Sequence, residues 1–80
     1  MSDTNTTDTV TYRPPLRRVI RGLISDYGSV TDDLLVAMTH AETDTAPDTI
    51  RDVVAELEAD GEIYNVSGDA TAPRWKVTRP

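Results

Sequence analysis

The chain has 80 residues, which allows one domain close to the lower size limit for a self-sufficient core. It contains no cysteine and a single histidine, so a disulfide framework, a thiolate metal site and a His-cluster metal site are all excluded. Fourteen acids against eight bases give a net charge of −6, and no apolar run is long enough for a signal peptide or a membrane span.

Seven Arg, one Lys, ten Asp, four Glu and twelve Thr make an acidic, Lys-poor surface. Such a surface resembles those of halophilic cytoplasms, where screening makes high surface charge tolerable. An ordinary acidic domain is the plainer alternative. Charge is segregated: residues 26–69 carry twelve acids and one base, net −11, while 1–25 are net +2 and 70–80 net +3. An acidic middle thus lies between two basic ends. The expectation is an intracellular, cytoplasmic, soluble monomer.

Residues 1–13 are polar and Thr-rich, which predicts a disordered tail, with one domain over 14–80. After Pro14 and Pro15, Leu16, Val19, Ile20, Leu23, Ile24 and Tyr27 follow helical spacing, and Gly28 supplies a stop. Arg17, Arg18 and Arg21 fall on the opposite side of that first helix, as either a solvated face or a patch for phosphate or a partner. Ser29-Val30 adds a short extended piece. Thr31 suits an N-cap, and Asp32 and Asp33 suit the positive end of the second helix. Leu34, Leu35, Met38 and Ala41 form its expected inward stripe, and His40 projects outward.

A third helix is expected to be capped by Thr45, with Asp48 in an Asp variant of the capping box and Pro47 in the first turn. Ile50, Val53, Val54 and Leu57 form its buried stripe, and Gly61 ends it. Residues 62–66 and 74–78 alternate as strands around a turn-rich Ser67-Gly68-Asp69-Ala70. Ile63, Trp75 and Val77 then point inward, while Tyr64, Val66, Arg74 and Lys76 face out. Three helices followed by a two-stranded β-hairpin wing is the α+β winged helix-turn-helix plan. A three-helix bundle competes, but it leaves Trp75 and Val77 without a home.

Residues 49–63, TIRDVVAELEADGEI, resemble the recognition-helix signature of winged-helix transcription regulators, including the DeoR type, through Thr49, Ile50, Arg51, Leu57, Gly61 and Ile63. The GEIY of residues 61–64, followed by a wing and RWKVT, is similar to the C-terminal winged helices of the minichromosome-maintenance helicase and of the replication protein A middle subunit. The resemblance covers residues 14–78 at the level of fold. It implies DNA binding in transcription or replication, with wing contacts on Arg74 and Lys76, or a protein-binding role. The chain departs from the regulators at Asp52, where they carry a second Arg. Asp48, Asp52, Ala55 and Ala59 occupy the outward side of the third helix, and phosphate repulsion with carboxylate desolvation opposes seating two carboxylates in a major groove.

Double-stranded DNA is therefore expected to meet the basic ends. Arg17, Arg18 and Arg21 would contribute from the first helix, Arg13 from the arm and Arg74, Lys76 and Arg79 from the wing, with Thr49 and Arg51 the residues placed for base readout. Five phosphate contacts would give a log K versus log salt slope of about −4.5. The alternative is a protein-interaction module that meets a basic partner through Asp48, Asp52, Tyr64 and Val66. No glycine-rich phosphate loop and no nucleophile–base set is visible, so no enzyme activity, cofactor or metal is expected.

Overall fold

The structure, a computed structural model, describes residues 15–78. The predicted tail over 1–13, Arg13 and Arg79 lie outside the described residues.

Helix α1, Leu16–Tyr27, opens on the Pro15 carbonyl, which accepts from the Arg18 and Val19 amides at 2.9 and 3.2 Å. It ends at Gly28, whose φ of 80° suits a residue without Cβ. Ile20 and Ile24 are buried, with Leu16 and Leu23 packed beside them. Tyr27, expected inward, is 60% exposed. Its angle on the helix is right, but it sits in the last turn, beyond Ile24, where the chain reverses.

Strand β1, Val30–Thr31, leads directly into helix α2, Asp32–Thr43. Thr31 caps α2 as expected, its hydroxyl accepting from the Leu34 amide at 3.4 Å. The buried stripe is not the expected one. Leu35, Val36 and Thr39 face the core with Met38 at their edge, whereas Leu34 is 47% exposed and Ala41 lies at the surface. The stripe is turned by about one residue, roughly 100°. Two features account for this: β1 fixes the direction in which α2 leaves the sheet, and the polar Thr39 hides one inward position from a hydropathy reading.

Asp44 ends α2 in the left-handed region at φ 57°, and its amide donates to the His40 carbonyl at 2.8 Å. Helix α3, Pro47–Ala59, starts on Ala46 with no side-chain cap. The expected Thr45–Asp48 capping box does not form. Thr45 is used in the turn instead: its hydroxyl accepts from Thr43 Oγ1 at 2.8 Å, and its carbonyl accepts from His40 Nδ1–H at 2.8 Å. Pro47 eases the start, because it has no amide to leave unbonded. At the other end Gly61, φ 77°, donates to Glu58 and Glu62 donates to Leu57, the paired bonds of a Schellman termination.

Strands β2, Ile63–Asn65, and β3, Arg74–Val77, pair as predicted, with Tyr64 opposite Lys76. The sheet has three strands rather than two. β1 pairs antiparallel with β3, Val30 opposite Trp75, giving the order β1-β3-β2. The short extended piece at Val30 thus becomes an edge strand. The architecture is α+β: three helices against a small antiparallel sheet. Ile20, Ile24, Leu35, Ile50, Leu57 and Ile63 form the fully buried centre, with Val30, Val36, Val54 and Trp75 around it. Complete burial of each large aliphatic contributes about 1.5–3 kcal/mol against chain entropy. Among the described residues no helix is long and apolar enough to cross a membrane.

Candidate nucleic-acid interface

The candidate cations separate into two groups. The first lies where α1 crosses the end of α3. Arg17 Nη2 bonds Asp60 Oδ2 at 2.6 Å and Glu62 Oε2 at 3.0 Å, and its Nη1 reaches Glu56 Oε1 at 3.4 Å. One turn on, Arg21 Nε lies 3.1 Å from Glu62 Oε1, an ion pair by distance whose N–H is not aimed well enough for a hydrogen bond. The hydrogen bonds Arg17 donates to Asp60 and then to Glu62 hold its guanidinium above its ordinary pKa. Arg17 and Arg21 thus join α1 to the α3–β2 corner, while Arg18 is exposed and in no ion pair with a described residue.

Arg51, expected on the reading face of α3, folds back toward the start of α2. Its Nη1 bonds Asp32 Oδ2 at 2.8 Å and its Nη2 lies 3.8 Å from Asp33 Oδ1. The Asp32 hydrogen bond is the main cause of its raised pKa. Asp32 is the joint of this corner. Its other oxygen accepts from the Trp75 indole N–H at 3.0 Å, and its backbone amide donates to the Pro73 carbonyl at 3.0 Å. One carboxylate therefore ties α2, α3 and β3 together and satisfies the polar atom of a buried Trp. The outward side of α3 is left with Asp48, Thr49 and Asp52, all exposed, and neither Asp is ion-paired with a described residue.

The second group lies on the outer face of the sheet. Arg74 and Lys76 point outward from β3, and neither is ion-paired with a described residue. Arg74 Nη1 donates to Ser29 Oγ at 3.2 Å, which holds it over β1. Tyr64 and Val66 share this face at 44% and 41% exposure. The connecting turn is stiffened by its own side chains. Asn65 Oδ1 accepts from the Ser67 and Arg74 amides, both at 3.0 Å, and Asp69 Oδ1 accepts from the Thr71 hydroxyl at 2.7 Å and amide at 2.9 Å. The Thr71 bonds, hydroxyl first, hold the Asp69 carboxyl below its ordinary pKa.

Sequence reasoning missed Asp32, and also Asp60 and Glu62 as partners of Arg17. An acid at the first helical position reads only as a dipole partner, and nothing in the spacing links residues 17 and 62. The turn did have a signal: Asn65, Ser67, Asp69 and Thr71 alternate as side chains that bond nearby backbone. Two shallow hollows of about 280 Å³ lie beside the turn and beside Gly61. Among the described residues no group of three His, Cys, Asp or Glu is placed to hold a metal ion. No family model matches the chain, and neither a curated protein nor a solved structure does.

Proposed function

We propose that this chain is a winged helix-turn-helix domain acting as a non-enzymatic DNA-binding module of transcription or replication. The observation that supports it best is the order α1-β1-α2-α3-β2-β3, with α2 and α3 joined by three residues and the outer side of α3 left uncovered. Phosphate contacts come from Arg74 and Lys76 of the wing and from Arg18. Arg17 and Arg21 can add to them, because exposed ion pairs are worth only about 0–1 kcal/mol and exchange readily for phosphate. Arg51 is turned away and Thr49 stands among the exposed Asp48 and Asp52, so base readout from α3 is not part of this proposal. The acidic surface is read as salt adaptation, which reduces the field that would repel DNA. Anisotropy titration of a labelled random duplex tests the proposal. Saturable binding at low salt that weakens as salt rises supports it, and no binding at about 20 mM salt, where screening is weak, ends it.

A protein-interaction module is the second reading, favoured by Asp48 and Asp52 standing unpaired among the described residues on the exposed side of α3. A basic partner would meet that side, with Tyr64 and Val66 as apolar contacts. Retention of a basic partner at molar salt by wild type, lost in an Asp48→Asn, Asp52→Asn variant, distinguishes it from DNA binding.

A further inference from the structure

We propose that the outer face of the β-sheet is a platform for single-stranded nucleic acid, with bases stacking on Tyr64 and phosphates held by Arg74 and Lys76. This goes beyond the duplex reading. It gives Tyr64 a role that duplex contact does not require, although the two cations are shared.

The face is built by strand alternation. Ile63, Trp75 and Val30 point to the core, so Tyr64, Val66, Arg74, Lys76 and Thr31 are left outside. Not one carboxylate is among these outward residues, in a chain of net charge −6. Tyr64 stands directly opposite Lys76. The Val66 amide donates to the Arg74 carbonyl at 2.8 Å, which sets those two side by side. Each cation therefore has an apolar neighbour across the strand. Arg74 and Lys76 are two residues apart on one strand, about 6.8 Å, a separation that successive phosphates of an extended strand can follow. The Arg74–Ser29 bond and the self-bonded turn order the platform before anything binds.

Charge and ring together choose the occupant. A single strand offers both phosphates and open base faces, and stacking on an aromatic ring is tolerant of sequence. A duplex keeps its bases stacked inside and has nothing for Tyr64. An acidic peptide would satisfy the cations but leave the ring without a stacking partner.

The test is anisotropy titration of a fluorescein-labelled ten-nucleotide oligothymidylate at low salt, with a duplex and a poly-glutamate peptide as parallel probes. Tyr64→Thr, which keeps β propensity, should weaken oligothymidylate binding about tenfold, while Tyr64→Phe restores it. Arg74→Ala and Lys76→Ala should each flatten the salt slope by about 0.7. Trp75 emission and thermal midpoint verify that each variant is folded. The inference is overturned if wild type does not bind the oligonucleotide, if Tyr64→Thr binds as wild type does, or if poly-glutamate displaces the strand at equal concentration. Duplex binding without single-strand binding removes this inference and leaves the proposed function standing; the reverse result does the opposite.

Discussion

The corner between α1 and α3 and the outer face of the sheet both hold cations, but they use them differently. At the corner, Arg17 and Arg21 meet Glu56, Asp60 and Glu62, so their charge is offset where it arises. On the sheet, Arg74 and Lys76 share their face with a tyrosine, a valine and a threonine, so their charge is directed outward. In sequence, three arginines on one helix face read as either a solvated face or a patch for phosphate or a partner. What decides whether a basic residue holds the fold or is offered to a ligand is the element that topology lays against it, and basic residue counts do not contain that information.

The link from Trp75 through Asp32 to Arg51 joins β3 of the sheet to α3, so the largest effect should come from breaking it. Trp75→Ala should cost about 3–5 kcal/mol, which removes most or all of the stability of so small a domain. Chemical denaturation followed by far-UV circular dichroism measures it. A variant that lost only the sheet and kept a cooperative helical transition would show the two regions to be independent. Asp32→Ala should cost about 1–3 kcal/mol, since it leaves a buried indole N–H without its acceptor. Arg51→Ala, on the exposed side of the same link, should cost less in the same assay. Thr39→Val should act in the opposite direction. The Thr39 hydroxyl is fully buried and has no hydrogen-bond partner among the described residues, so an isosteric apolar replacement should stabilise by about 1 kcal/mol, read as a rise in thermal midpoint. The smallest effect concerns pH at the turn. Asp69 has its folded-state pKa below the unfolded value, so its contribution is fully present above about pH 3.9 and is lost as pH falls through the folded value. The Thr71 amide resonance should therefore move only in acid, and Asp69→Asn should abolish that movement.

Much of the fold is legible because it depends on local chemistry. Gly28 and Gly61 as helix stops, Thr31 as a cap and the stripe of α3 follow from steric and hydrogen-bonding rules acting over a few residues. The misreadings come from contacts between distant residues. Leu34 reads as inward because a hydropathy count passes over Thr39, and Thr45 reads as a cap because its competing bonds to Thr43 and His40 are invisible until the turn closes. The third strand is hidden for the same reason: Ser29-Val30 reads as extended, but its pairing joins Val30 to the distant Trp75. At the candidate site, the outward alternation of Tyr64, Arg74 and Lys76 was readable from period-two spacing. The commitment of Arg17, Arg21 and Arg51 to carboxylates was not, because their partners lie 19 to 45 residues away in sequence.

The claim that DNA meets the wing and Arg18 rather than the outward side of α3 is tested most directly by a two-dimensional amide titration of labelled protein with a short duplex at low salt. The account predicts shifts at Arg18, Ser29, Arg74 and Lys76 that saturate together, with Asp48 and Asp52 unmoved. Shifts confined to α3 around Thr49 and Asp52, or no shifts at all, would contradict it.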